Sequence, residues 1–238
     1  MSALNALRRL SCLLHLIVRD KSAIAAVEFA AALPFLLVTT LSATELTNFT
    51  IVRMRVGQVA LQVADNASRM GRTSLTGNPQ VTETDINDLL TGASMQVSNL
   101  NLYTHGRVIV SSLEPTANPN TADTFKIRWQ RCRGLKNPTS LSPISPAQGT
   151  TGLTGMGPTG QVVTTPDDTG VMYVEIFYDY QPLFTSGLVP HSTIHEYASM
   201  IVRDSRDYNG PTSGTGANGG VYNTVGDPVH ACDVYSTT

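Results

Sequence analysis

The chain has 238 residues, a net charge of -2 and only 14% charged residues, so it carries no basic field able to hold a phosphate backbone. Nucleic acid is therefore not an expected partner. Once an N-terminal apolar segment is set aside, the remaining length suits one ordinary domain with a core, and not two.

The first 23 residues read as a basic leader, with Arg8, Arg9, Arg19 and Lys21 against Asp20 alone. From Ala23 to Ala43 the only ionisable residue is Glu28. A run of about 20 apolar residues is what a helix needs to cross a hydrocarbon core of about 30 Å. The positive-inside rule then keeps the N-terminus cytoplasmic and sends the rest across. A cleaved secretory signal peptide is the competing reading. Against it, the apolar stretch starts far from Met1, and Ser42, Ala43 and Thr44 are the nearest small-residue candidates for a cleavage site. The same crossing sorts the cysteines. Cys12 stays in a reducing compartment, whereas Cys132 and Cys232 reach an oxidising one, where they can pair. Such a bridge would close a loop of about 100 residues, worth at most about 4 to 5 kcal/mol by chain entropy.

Helical periodicity continues past the apolar run. Ile51, Val52, Val56, Val59, Val63, Ala67 and Met70 recur at three- and four-residue steps among Arg53, Arg55, Gln58, Gln62, Asp65 and Arg69. One helix from about Ser22 to about Arg69 is expected, stopped at Gly71, so that residues 24–70 form a membrane helix continued by an amphipathic one. Residues 71–238 form the domain beyond the membrane. A turn is expected at Gly77-Asn78-Pro79, then a helix capped by Thr82 and Asp85, carrying Ile86, Leu89 and Leu90 and ending at Gly92. Val108 to Leu113 reads as a strand. Phe125, Ile127 and Trp129 alternate with Lys126, Arg128 and Gln130, which predicts a strand with one wet face ending at Cys132. The 19 Gly and 13 Pro fall mostly after position 110, and residues from about 134 to 170 read as a long surface insertion. Val171 to Tyr180 is the next strand, apolar on both faces, and Thr193 to Arg203 the last, followed by a Gly-rich loop at 209–220. The fold class is α+β: a long N-terminal helix, then a small antiparallel sheet with long Gly/Pro-rich loops.

Motifs for catalysis are missing. No G-x-S-x-G, P-loop or H-E-x-x-H sequence occurs. His191 and His195 would ligate metal on a helix, but on a strand they stand about 13 Å apart. Asp167-Asp168 reads as a pair of solvated loop acids ahead of a Ca²⁺ site. No enzyme, cofactor or metal is expected.

Glu28 stands seven residues past Lys21, roughly 10 Å along the helix. A carboxylate deep in a bilayer costs roughly 2.5 to 3.5 kcal/mol on insertion scales, so it either reaches the headgroups or has a partner. The stretch Ala25-Ala26-Val27-Glu28-Phe29-Ala30-Ala31-Ala32-Leu33-Pro34 resembles the N-terminal signature of TadE-like (TadE/TadG) proteins, the pseudopilins of tight-adherence (Flp) type IV pili. In that family a basic leader precedes a Gly, the Glu stands fifth after it, and an aromatic residue and then a Pro follow. The resemblance places the scissile bond after Ala23 and the mature N-terminus at Ile24. The family has Gly where Ala23 stands, so a form processed by a prepilin peptidase and an uncleaved variant are both open. It also implies that Glu28 pairs with the N-terminal ammonium of a neighbouring subunit. Phe29 and Pro34, taken singly, also read as lipid-facing bulk and a tolerated kink. Tyr178-Asp179-Tyr180-Gln181-Pro182-Leu183-Phe184 is similar to a second, weaker family element, and the two cover about a third of the chain. What the resemblance implies is a pilin-like minor pseudopilin in the bacterial inner membrane, N-terminus cytoplasmic and C-terminal domain periplasmic. Its partners would be other pilins and the assembly platform. The competing class is a membrane-anchored periplasmic binding or adhesion module.

Overall fold

A computed structural model describes residues 22–74, 77–138, 147–184, 192–203, 205–208, 210–211, 219–223 and 225–238. The basic leader, Cys12, His191 and most of the loop at 209–220 lie outside them. The elements are α1 (Ser22–Arg69), β1 (Arg72–Ser74), β2 (Gly77–Gln80), α2 (Glu83–Gln96), a 3-10 turn at Ser98–Leu100, α3 (Leu102–His105), β3 (Gly106–Pro115), β4 (Phe125–Arg133), β5 (Val171–Asp179) and β6 (Thr193–Ile201). This is the expected α+β arrangement of a long apolar helix and a small antiparallel sheet. The chain divides into two compact units, Met1–Asn48 with Pro182–Pro190, and Phe49–Gln181 with His191–Thr238.

In the second unit the sheet order is β4-β3-β5-β6, antiparallel throughout. One face packs against helices. Val52, Val56, Val59, Val63 and Ala67 of α1 and Ile86, Leu89, Leu90 and Ala93 of α2 share a core with Val108, Val110, Met172, Val174, Ile176, Ile194 and Ala198 of the sheet. The α1 positions are those of the predicted stripe, except that Ile51 is exposed. Each buried valine is worth about 1.5 kcal/mol or more, so this stripe holds the helix on the sheet. Thr82 and Asp85 form a reciprocal capping box at the start of α2. That helix does not end at Gly92 but runs on to Gln96, because Ala93 is buried and one helical Gly costs only about 1 kcal/mol. The turn expected at Gly77-Asn78-Pro79 is instead strand β2, paired with β1.

The other face is where the structure departs from the sequence pattern. Phe125 and Ile127 pack there, with Leu113, Val171 and Tyr173. Trp129 packs on the helix side. The β3–β4 register slips between Ser111 and Leu113, so three β4 steps oppose two in β3. A bulge of this kind flips every later side chain to the opposite face. Arg131 and Arg133 consequently turn inward beside α2 and are buried, as is Gln130, so the expected wet face exists only at Lys126 and Arg128. The insertion is also not simply surface. Its described part lays Leu153, Met156 and Val163 over Phe125 and Tyr173, and pairs Leu153 with Phe125.

Candidate functional site

In the first unit, every side chain from Ile24 to Leu41 is exposed, including Phe29 at 61% and Phe35 at 72%. This helix is long and apolar enough to cross a membrane. The apolar surface is completed by four threonines that bend their hydroxyls onto their own backbone. Thr39 donates to Phe35 O, Thr40 to Leu36 O, Thr44 to Thr40 O and Thr47 to Ala43 O, at 2.8 to 3.0 Å. A hydroxyl so satisfied costs little in hydrocarbon. Pro34 lies inside the helix, which continues through it, and Ala23 and Ile24 lie in its first turn. Glu28 is exposed and has no hydrogen-bond or ion-pair partner among the described residues.

A second carboxylate, unremarked in the sequence pattern, ends the apolar run. Glu45 is fully buried and accepts from the backbone N–H groups of Leu183 and Phe184 at 3.1 to 3.3 Å. It is the hydrogen-bond anchor of the Pro-Leu-Phe element. Glu28 and Glu45 stand 17 positions apart on the helix, roughly 25 Å, most of a hydrocarbon core. One is satisfied by main-chain donors; the other has no partner among the described residues. The available signal was an acid placed directly after the last apolar residues, which reads equally well as an ordinary interfacial charge.

The second unit carries a polar cleft of about 460 Å³ lined by Glu114, Lys126, Arg128, Asp168, Arg206 and Tyr208, among others. Burial pushes the Glu114 carboxyl up, against the pull of Arg128 and Lys126 and a hydrogen bond from Ser112. Arg128 is held by Gly219 O at 3.0 Å and lies 3.9 Å from Glu114. Arg206 donates to Ala67 O and Met70 O, the carbonyls at the C-terminal end of α1, where a cation suits the helix dipole. Asp168 accepts from the side chain of Asn118, and Asp167 from Asn120 N–H, so both acids serve the loop. Among the described residues no group of three or more His, Cys, Asp or Glu could hold a metal ion. His195 is stacked on Phe177 and stands beside Glu175.

The C-terminal tail is tied along β4. Cys132 and Cys232 form a disulfide. Cys132 N–H donates to His230 O, and Gly134 N–H to Ser236 O. Gly134 has a φ of 125° and would drive a Cβ into Gly106 O, which only glycine avoids. Buried Arg107 donates to Gly134 O, Cys232 O and Val234 O, with Tyr235 stacked over its guanidinium. Arg131 pairs with the fully buried Glu83 at the start of α2, and Arg133 donates to His230 Nε2 at 2.6 Å. None of these pairings is local in sequence. No family model, curated protein or solved structure matches the chain.

Proposed function

We propose that the chain is a minor pseudopilin of a tight-adherence (Flp) type IV pilus, anchored in the bacterial inner membrane and acting in assembly, not catalysis. The observation that carries this reading is the surface of α1 from Ile24 to Leu41: an exposed apolar stretch with one carboxylate, Glu28, that has no partner among the described residues, followed by Phe29 and Pro34. A desolvated charge of that kind gives the helix a reason to seek a neighbouring helix that brings a cation. In this reading the N-terminus is cytoplasmic, the sheet domain periplasmic, and the cation is the ammonium of a neighbouring pilin-like subunit. Deleting the protein should remove Flp filaments and surface attachment; normal piliation would exclude the role. Glu28→Ala should abolish assembly while the protein stays inserted. Mass spectrometry of membrane-extracted protein separates a processed chain starting at Ile24 from an uncleaved one starting at Met1.

The polar cleft supports a second reading, a membrane-anchored periplasmic binding or adhesion module in which α1 is only a tether. Its mixture of Lys126 and Arg128 with Glu114 and Asp168 suits a polar ligand carrying both hydrogen-bond donors and acceptors. Replacing residues 24–44 by an unrelated membrane anchor decides between the two. Restored function favours the module, and lost function with correct insertion favours the pseudopilin.

A further inference from the structure

The two edges of the sheet are treated differently. Along β4, the outer backbone groups are occupied: Phe125 and Ile127 donate to Leu153 O and Thr150 O, Cys132 to His230 O, and Gly134 to Ser236 O. Along β6, no described residue bonds to the outer side. Tyr180 N–H donates to Ser192 O and Val202 N–H to Gly170 O, which places the hydrogen-bonded pairs with β5 at the even-numbered residues of β6. Thr193, His195, Tyr197, Ser199 and Ile201 therefore aim their N–H and C=O groups away from the sheet. Nine residues of unbulged edge carry no Lys and no Pro, and their one acid, Glu196, is paired with Arg53, so few of the usual devices keep this edge from pairing.

We infer that β6 is a homodimerisation edge, pairing antiparallel with β6 of a second copy about a two-fold axis at Tyr197 to make one continuous sheet. In that register Tyr197 faces itself, His195 faces Ser199, and Thr193 faces Ile201, so all five outward residues are satisfied together. No like charges stand directly opposed, since Glu196 faces Ala198 and is held by Arg53 at 2.8 Å. Ile201, 52% exposed, gains a β-branched neighbour in Thr193. The Ser199 hydroxyl of the second copy comes opposite His195, whose buried Nε2 lies 3.4 Å from Glu175 and makes no hydrogen bond. The inference does not depend on the pilus assignment.

The test is the mass of the full-length chain in detergent, by light scattering, across a concentration series. Ser199→Pro removes an N–H that the β5 ladder does not use, which an edge strand tolerates. The wild type should run as two chains per particle and Ser199→Pro as one, with unchanged circular dichroism. Tyr197→Cys, on the two-fold axis, should form an interchain disulfide under mild oxidation. A dimer that survives Ser199→Pro and gives no cross-link at position 197 overturns the proposal, because the contact then lies elsewhere, as on α1. A wild type that stays monomeric throughout also overturns it and leaves the edge to an extended segment of another protein. If Ser199→Pro fails to fold, the cross-link alone decides.

Discussion

A buried polar residue is stable only with its partners, and His230 shows how narrow that condition is. Its Nε2 faces the Arg133 guanidinium, which can only donate, so the imidazole must be neutral with its proton on Nδ1. Burial first, and then the charges of Arg133 and Arg131, hold it below its ordinary value of 6.5. The unfolded chain therefore binds this proton more readily than the folded one. Stability should be unaffected by His230 above pH of about 6.5 and should fall as pH drops from there through the lowered folded value. Denaturation midpoints from pH 7.5 to pH 5 measure this. His230→Gln keeps an acceptor for Arg133 and should flatten the acid slope, at a cost at neutral pH of about 1 kcal/mol. Glu83 and Arg131 follow the same logic with two charges: each is tolerated inside only because the other is there.

At the scale of elements, α1 is one helix with two kinds of surface. To Leu41 it has no side-chain contact that buries it, and from Val52 it supplies a stripe to the sheet. Glu45 stands between, and its carboxylate is the acceptor for Leu183 and Phe184 N–H. Hydrogen bonds to a charged acceptor are worth about 1.5 to 3 kcal/mol each. Glu45→Ala should therefore raise hydrogen exchange at the Leu183 and Phe184 amides by roughly tenfold or more, leaving core amides of β5 unchanged. Equal exchange in both proteins would show that other contacts hold the Pro-Leu-Phe element. Strand β4 teaches the opposite lesson about patterns. Its alternation was plain in the sequence, yet one extra residue split Phe125 and Ile127 from Trp129 and turned two arginines inward.

For the whole molecule, the disulfide joins residues 100 apart and closes most of the second unit into a loop. Arg107 and the two β4–tail hydrogen bonds hold the same tail independently. Replacing Cys132 and Cys232 together by Ala should therefore cost about 2 to 4 kcal/mol, below the loop-entropy ceiling, with the tail still docked. Thermal unfolding with and without reductant reads the loss, and a change under 1 kcal/mol would assign the tail's order to Arg107. The sequence by itself determined what depends on neighbours along the chain: the span and stripe of α1, the Thr82–Asp85 cap, the strands, the α+β class and the single acid, Glu28, in an apolar run. These follow from periodicity and charge, which a single segment expresses alone. Only the tertiary structure decided which face Trp129 takes, that Leu153, Met156 and Val163 of the insertion pack over the sheet, that Glu45 accepts from Leu183, and which sheet edge has no partner among the described residues. Each of those depends on backbone donors and acceptors from segments distant in the chain, and main-chain hydrogen bonding leaves no mark in residue type.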